Sequence, residues 1–214
     1  MIADGCSPAN PGEYPSDCQL TEALRTRAMK RNTTIERSKE WQAALGQAQK
    51  VKLLLLDVDG VLTNGSLLYT GSGEEAKCFH TQDGLGIRLL QESGVEVGII
   101  TARNSSIVAR RAEELKMAHV YQGKFDKLSV YEEVLKKTGL RPMHTAYMGD
   151  DWVDLPLLNR VGFAAAPANA RIEIQQRVHY LTNRNGGQGA VREVCDLIME
   201  SHGTYQQMFA RFDR

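Results

Sequence analysis

The sequence has little that would indicate a nucleic-acid or membrane partner. Its 214 residues carry a formal net charge of zero, so neither a basic excess nor a polybasic run is present. No apolar run reaches the roughly 18 residues that a membrane-spanning helix needs. The first residues also lack the hydrophobic core of a secretory signal. We therefore expect about one globular domain with an appendage, and neither nucleic acid nor a membrane as partner.

Cysteine and histidine patterns typical of structural metal sites are also missing. The cysteines are widely spread and contain no CxxC pair, so we expect neither a disulfide framework nor a zinc site. A reducing cytoplasm fits this spread best. The histidines show no spacing typical of a metal triad, and we interpret them as structural. These residues are Cys6, Cys18, Cys78 and Cys195, and His80, His119, His144, His179 and His202.

What the sequence does contain is a stretch, Leu53–Thr63, in which two aspartates directly follow an apolar run. The run of leucines predicts a strand buried on both faces, as in parallel sheets, and ligands bind where such strands end. Residues two apart in a strand point the same way, roughly 6–7 Å apart, so Asp57 and Asp59 are expected to face one spot. Two like charges held together need a cation or a shared proton, and this stretch alone does not decide between them.

From residue 51 onward, predicted strands alternate with predicted helices. This pattern indicates the α/β class, with an open, mostly parallel, Rossmann-like sheet flanked by helices. The turn signal TGSG lies between two short extended pieces, 66–69 and 75–79, and predicts a β-hairpin insert directly after the aspartates. The predicted strands of the sheet are 51–58, 95–100, 119–122, 145–148, 162–166 and 178–181, and the predicted helices are 84–91, 106–116, 125–138, 155–159, 170–176, 189–201 and 205–212. Ser105 or Ser106 is expected to cap the helix at 106–116.

The same pattern divides the chain into three parts. Residues 1–50 form an N-terminal extension that is partly disordered or helical, with one helix at 35–47 leading into the first strand. Residues 51–201 form the α/β domain. Residues 202–214 form a C-terminal helical tail.

Polar residues follow several of the predicted strands or begin the next helix. Hard oxygen ligands, a threonine hydroxyl near a helix N-terminus and one lysine are together typical of a site for Mg²⁺ and a phosphoryl group. The carboxylates alone would repel one another and a phosphate, whereas a divalent ion and a lysine balance the charge. Because parallel strands end at one edge of the sheet, we expect these residues to lie together: Asp57, Asp59, Thr101, Arg103, Lys127, Asp150, Asp151 and Asp154.

A phosphoryl-transfer mechanism follows from these residue types. Asp57 attacks phosphorus and becomes an aspartyl-phosphate, and Asp59 acts as general acid and then general base. The Thr101 hydroxyl and nearby backbone N–H groups hold the phosphoryl oxygens, and Lys127 neutralises their charge. The metal ligands are Asp57 and Asp150 through their carboxylates and Asp59 through its backbone carbonyl.

The motifs DVDGVLT, TAR, Lys127 and GDDWVD resemble those of the haloacid dehalogenase superfamily of Mg²⁺-dependent phosphatases. More narrowly, residues 51–201 resemble the family of 3-deoxy-D-manno-octulosonate 8-phosphate (KDO 8-P) phosphatases. The segments KCFHTQDGLGIRLL and GGQGAVREVCDLI carry this narrower resemblance. The resemblance implies hydrolysis of a sugar-acid phosphate, KDO 8-P, to KDO and phosphate through an aspartyl-phosphate.

The resemblance also implies how the site is closed and what contacts the substrate. It implies a domain without a cap, because the hairpin and one helix fill the short stretch between Asp59 and Thr101. Relatives are homotetramers in which the hairpins form a central barrel and a neighbour helps to close the site. The implied substrate contacts are Asp83, Gly84, Arg103, Asn104 and Lys127.

Three alternatives remain open at this stage. Gln82, Asn183 and Gln188 stand where better-known bacterial relatives commonly have arginine, so a nonulosonate (KDN or sialic acid) 9-phosphate is an alternative substrate. A non-catalytic oligomerisation module of the same fold is an alternative of another class. A phospho-receiver signalling domain is a third, although there the phosphorylated aspartate lies on a middle strand.

Overall fold

The computed structural model of the chain describes residues 36–69, 71 and 75–213. The chain divides into two compact units, 1–38 and 39–214, and the elements below belong to the second. The predictions for residues 1–35 and most of the predicted TGSG turn lie outside the described residues. Where the helix predicted at 35–47 reaches described residues, the structure has helix α1 at Lys39–Ala48. The division of the chain after residues 50 and 201 stays a prediction.

A six-stranded sheet forms the centre of the second unit, and its strand order is β5-β4-β1-β6-β7-β8. All neighbouring strands of this sheet are parallel. This arrangement confirms the predicted α/β class. The strands are β1 Leu53–Leu56, β4 Glu96–Ile100, β5 His119–Tyr121, β6 Thr145–Met148, β7 Phe163–Ala166 and β8 Tyr180–Leu181, while β2 Leu68–Tyr69 and β3 Glu75–Ala76 pair antiparallel as the predicted hairpin.

Helices cover the sheet, and no described helix is long and apolar enough to cross a membrane. Between β1 and β4, the described chain contains only the hairpin and one helix, so a cap domain is absent there, as predicted. Besides α1, the helices are α2 Thr81–Glu92, α3 Ser106–Glu114, α4 Lys127–Thr138, α5 Leu155–Leu158, α6 Ile172–Gln175, α7 Ala190–Ser201 and α8 Tyr205–Ala210, with 3₁₀ turns at Pro142–His144 and Trp152–Asp154.

Strand β1 is buried on both faces, as its run of leucines predicts. Its side chains alternate, because residues two apart point to the same face of a strand. Leu54 and Leu56 pack into the core cluster shared with α1, α2 and α7. Leu53 and Leu55 pack into the cluster on the opposite face, shared with α4 and α5. The end of β1 is therefore held from both sides of the sheet.

The predicted capping hydrogen bond at the start of helix α3 is not formed. Ser105 occupies the N-cap position with extended backbone (φ −148°, ψ 127°), but its side chain makes no capping hydrogen bond. Ser105 is buried, and its backbone N–H donates to Gln122 Oε1 at 2.9 Å. By contrast, Asp126 caps α4 by accepting the Ser129 N–H at 3.2 Å. Sequence identifies the position of a cap better than the rotamer that would complete it.

Candidate active site

The ends of β1, β4 and β6 bring the predicted site residues to one edge of the sheet. Leu56, the last residue of β1, pairs with Ile99 of β4 and with Met148 of β6. Asp57 therefore leaves the sheet between its two neighbours, and its N–H donates to the Met148 carbonyl at 2.9 Å. Thr101 and Asp150 leave the same edge just beyond β4 and β6.

Lys127 joins this edge from the first residue of α4. Its Nζ donates to Asp57 Oδ1 at 2.6 Å, to Asp154 Oδ1 at 2.6 Å and to the Tyr147 hydroxyl at 3.1 Å. The lysine is buried, and a cation at a helix N-terminus is opposed by the helix dipole. Burial acts to lower the pKa of Lys127, but the neighbouring Asp57 and Asp154 outweigh it and raise that pKa. Lys127 is therefore a fixed positive charge against Asp57.

Asp154 organises the turn that carries Asp150. Its Oδ1 accepts from Lys127 and from the Tyr147 hydroxyl, the latter at 2.6 Å. Its Oδ2 accepts the backbone N–H groups of Asp150 at 2.9 Å and Asp151 at 3.2 Å. Gly149 makes room for it, because a Cβ at Gly149 would lie 2.4 Å from the Asp154 Cγ. Both oxygens of Asp154 are thus engaged within the protein.

Asp57, Asp150 and Asp154, which we call the carboxylate cluster, offer oxygens that lie within 4.8 Å of one another. Burial, followed by repulsion from Asp154, raises the pKa of Asp57 to about 7. Burial, followed by repulsion from Asp57, raises the pKa of Asp150 to about 7. The three carboxylates carry more negative charge than Lys127 can neutralise, so the cluster favours a bound cation.

The donor set fits a hard divalent cation such as Mg²⁺, which takes oxygen ligands. Asp57 and Asp150 are the better candidates for its ligands, because the oxygens of Asp154 already accept hydrogen bonds. Asp150 lies over Gly60, where a Cβ would be 2.1 Å from Asp150 Oδ2. Gly60 has φ +99°, which an L side chain rarely adopts. This glycine therefore serves both the sharp turn after β1 and the close approach of Asp150.

The Asp59 carboxylate contacts a second group of residues, away from Lys127. Its Oδ1 accepts from Lys77 Nζ at 2.5 Å, and its Oδ2 lies 3.8 Å from Arg103 Nε. Glu75 pairs with both cations, at 3.2 Å from Lys77 Nζ and 3.8 Å from Arg103 Nη2. Arg103 Nη2 also donates to the Tyr69 hydroxyl at 2.6 Å. We call Asp59, Arg103 and the hairpin residues Tyr69, Glu75 and Lys77 the hairpin rim.

The loop after β4 carries the other predicted phosphoryl and substrate contacts. Thr101 is buried, and its hydroxyl accepts the Arg103 N–H at 3.4 Å. Its backbone is tied to the next strand through the Tyr121 carbonyl at 3.0 Å. Asn104 is exposed on the same loop. These positions lie at the edge that holds the carboxylate cluster, and their roles stay predictions.

Asp83 and Gly84, the remaining predicted substrate contacts, lie at the start of α2. The buried Asp83 carboxylate accepts the backbone N–H of Arg192 at 2.7 Å and of Gly189 at 3.3 Å, at the beginning of α7. A Cβ at Gly84 would lie 2.4 Å from Arg111 Nη2 on α3. In the part of the chain that the structure describes, no hydrogen bond joins Asp83 to the carboxylate cluster. The structure thus joins these residues to α7 and α3.

Two residues that the motifs did not single out touch the predicted groups directly. Tyr147 is fully buried, and its hydroxyl bonds Asp154 and Lys127. The sequence could have indicated it, because a tyrosine in the apolar strand TAYM is buried and a buried tyrosine hydroxyl usually forms a hydrogen bond. Lys77 contacts Asp59, and no local pattern in the sequence indicated that contact.

Comparisons with known proteins extend over most of the described chain. A family model described as haloacid dehalogenase-like hydrolase matches residues 113–194. The 3-deoxy-D-manno-octulosonate 8-phosphate phosphatase of Escherichia coli strain K12 is 42% identical over 159 residues, which are 74% of this chain and 85% of that protein.

Solved structures give the same result. The 3-deoxy-D-manno-octulosonate 8-phosphate phosphatase from Moraxella catarrhalis, in complex with a magnesium ion, a phosphate ion and a KDO molecule, matches with a TM-score of 0.77 and 39% identity, covering 83% of this chain and 99% of that one. The enzyme of that name from Yersinia pestis matches with a TM-score of 0.76 and 41% identity, covering 77% of this chain and 89% of that one.

Proposed function

The chain belongs to the family of haloacid dehalogenase-like hydrolases that includes the 3-deoxy-D-manno-octulosonate 8-phosphate phosphatases, and we propose that it is a Mg²⁺-dependent phosphatase that hydrolyses KDO 8-P to KDO and phosphate. The observation that carries the proposal is the buried Lys127, held 2.6 Å from Asp57 beside Asp150. The relative from M. catarrhalis, which holds magnesium, phosphate and KDO, supports the choice of substrate.

The reaction uses the residues of the carboxylate cluster and Asp59 in two steps. In the first, a carboxylate oxygen of Asp57 attacks phosphorus, the ester P–O bond breaks, and Asp59 gives a proton to the leaving sugar oxygen. In the second, water attacks phosphorus of the aspartyl-phosphate while Asp59 takes the water proton, and the Asp57 carboxylate and phosphate are released. Thr101 and adjacent N–H groups hold the phosphoryl oxygens, and Lys127 neutralises their charge.

Mg²⁺ is held in this proposal by the carboxylates of Asp57 and Asp150 and by the backbone carbonyl of Asp59. When bound, the ion neutralises the phosphoryl group and orients it for attack. Asp154 positions the others, because its oxygens fix Lys127 and the backbone of the turn.

Phosphate release tests the proposal. With Mg²⁺, the wild-type protein is expected to release phosphate from KDO 8-P and far less from hexose phosphates. The Asp57→Asn variant should lose activity by at least about 10³-fold, because the nucleophile is gone. If wild type with Mg²⁺ hydrolyses no phosphomonoester in a broad panel, the non-catalytic oligomerisation module becomes the better reading.

A nonulosonate 9-phosphate is the second candidate substrate, because Asn183 offers no cation to the carboxylate of an eight-carbon sugar acid. Asn183, where relatives commonly have arginine, donates its Nδ2–H to Glu193 at 2.9 Å. Because Asn183 is exposed, the lack of a cation there would weaken the binding of a carboxylate by about 1 kcal/mol or less. A higher kcat/KM for the nine-carbon than for the eight-carbon phosphate would favour the alternative.

We further propose a homotetramer in the cytoplasm, assembled through the hairpin. Leu67, Leu68 and Tyr69 of the hairpin are 42%, 62% and 57% exposed, and together they form an apolar surface on a two-stranded element. A neighbouring chain that covers this surface would also limit access of water to the hairpin rim. A monomeric mass in solution light scattering would contradict this assembly.

A further inference from the structure

Lys77 is a buried lysine delivered to the candidate site by the hairpin. Its side chain is fully buried, and its Nζ lies 2.5 Å from Asp59 Oδ1. A buried ammonium group is costly unless carboxylates pair with it. Here Asp59 and Glu75 both do so, and the second pair has an Nζ–Oε1 distance of 3.2 Å. The Lys77 ammonium group is thus held against the Asp59 carboxylate.

The hairpin fixes the direction from which Lys77 approaches. Glu75 lies in β3 and Lys77 follows that strand directly, and their charged groups meet at 3.2 Å. Glu75 pairs across the hairpin with Tyr69, and the Tyr69 hydroxyl accepts from Arg103. Two cations and two carboxylates, Arg103 and Lys77 against Asp59 and Glu75, balance within the hairpin rim.

Little else within reach orients the Asp59 carboxylate. Among residues 36–69, 71 and 75–213, Lys77 is the one that donates a hydrogen bond to it. Arg103 Nε lies at 3.8 Å, an ion-pair distance that sets no direction. The Asp59 side chain is 19% exposed, and without Lys77 no hydrogen bond from the described residues would fix its direction.

We propose that Lys77 is a positioning residue that aims the Asp59 carboxylate at the leaving oxygen of the substrate. This inference rests on the proposed function, in which Asp59 gives its proton to that oxygen. A general acid must lie within hydrogen-bond reach of the atom it protonates, and its loss costs about 10²–10⁴-fold in rate. A residue that fixes such an acid therefore affects only leaving groups that need a proton.

Leaving-group dependence separates this role from others. Phenyl phosphate and p-nitrophenyl phosphate have similar shapes and lack a carboxylate, but p-nitrophenolate departs without protonation and phenolate does so far less readily. The quantity to compare is kcat/KM, because it reports the steps up to departure of the leaving group. Hydrolysis of the later aspartyl-phosphate does not enter it.

The experiment compares Lys77→Met with wild type on KDO 8-P, phenyl phosphate and p-nitrophenyl phosphate, each with Mg²⁺. We expect kcat/KM to fall about 10-fold or more on the first two and by less than about 3-fold on p-nitrophenyl phosphate. Lys77→Arg should retain most activity, since it keeps a donor. The double variant Lys77→Met/Asp59→Asn should be no worse than Asp59→Asn alone. Lys136→Met, at an exposed lysine of α4, is the matched control and should change nothing.

Each other result overturns the inference in a recognisable way. Equal losses on all three substrates would mean that Lys77 maintains the fold or binds the phosphoryl group. A loss on KDO 8-P alone would make Lys77 a ligand of the substrate carboxylate. If Lys77→Met loses no activity on any substrate, Lys77 has no positioning role, but the proposed phosphatase function is unaffected. If the wild-type protein is inactive, both the proposed function and the role of Lys77 are contradicted. If Lys77→Met does not fold, Lys77→Gln is subject to the same three-substrate comparison.

Discussion

The two halves of the candidate site are held by different means. In the carboxylate cluster, Asp57 and Asp150 follow central strands and Asp154 ends the 3₁₀ turn Trp152–Asp154. Lys127, which pairs with the cluster, begins helix α4, and both Lys127 and Asp154 are buried. In the hairpin rim, the contacts come from Tyr69 and Glu75 in strands of two residues each, from Lys77 directly after the second strand, and from the exposed Arg103. The sheet therefore fixes the groups that act on phosphorus. Asp59, which protonates the leaving oxygen in the proposed mechanism, depends instead on the short β2–β3 hairpin.

Burial makes the cluster differ in energy from the exposed part of the rim, Tyr69 and Arg103, whereas the side chain of Lys77 in the rim is as buried as that of Lys127. Removing one partner of a buried ion pair leaves an uncompensated charge and costs about 3–5 kcal/mol. Ion pairs between exposed side chains contribute only about 0–1 kcal/mol. If the comparison is right, substitutions at the buried residues around the carboxylate cluster change stability and activity together, whereas a substitution at the exposed Tyr69 of the rim changes neither by much.

The largest effect is expected from Lys127→Met. It would leave Asp57 and Asp154 buried without their cation, so the free energy of unfolding measured in urea without Mg²⁺ should fall by about 3–5 kcal/mol. Phosphatase activity should fall by about 10²–10³-fold, because one charged donor to the phosphoryl group is lost. Lys124→Met, at an exposed lysine, is the control. A stability loss below about 1 kcal/mol would contradict a rigid, charge-dependent cluster.

Asp150→Asn should abolish the stabilisation by Mg²⁺. A ligand that binds only the folded state at 100 times its Kd stabilises by about 2.7 kcal/mol, and the wild-type melting temperature should rise accordingly on addition of Mg²⁺. The asparagine variant should show little rise, since one of the proposed carboxylate ligands is gone. Asp151→Asn, the exposed neighbour, should keep the wild-type response. An undiminished response of Asp150→Asn in calorimetry would place the ion elsewhere.

The sequence could predict that the residues following β1, β4 and β6 lie together, because their positions depend on strand order alone. Once β1, β4 and β6 are recognised as parallel, the residues after them must share an edge, and Asp57, Thr101 and Asp150 do. The contact between Lys77 and Asp59 required knowing how the hairpin docks, which no local pattern gives. Asp83 illustrates the same limit, because a residue in the motif DG proved to bind the start of α7.

Tyr147→Phe should have an intermediate effect. Its hydroxyl donates to the Asp154 carboxylate at 2.6 Å, and losing a buried hydrogen bond to a charged group costs about 1.5–3 kcal/mol. Activity should fall by about 10-fold, since Lys127 loses part of its support. Tyr131→Phe is the matched control, because the Tyr131 hydroxyl is also buried but bonds the neutral Thr145 at 2.7 Å. Its cost should be about 1 kcal/mol with unchanged activity. Equal effects of the two variants would show that Tyr147 is an ordinary core tyrosine.

The smallest effect is expected from Tyr69→Phe in the hairpin. The change removes only the hydroxyl that accepts from Arg103 at 2.6 Å. Both side chains are exposed in the single chain, and phenylalanine keeps the apolar ring that the proposed neighbouring chain would cover. The free energy of unfolding should therefore change by less than about 0.5 kcal/mol. Activity should stay within about 3-fold of wild type, because Lys77 still holds Asp59. A larger loss of activity without a loss of stability would mean that Arg103, rather than Lys77, controls the rim. The hairpin would then act on the substrate through the exposed arginine instead of on the general acid through the buried lysine.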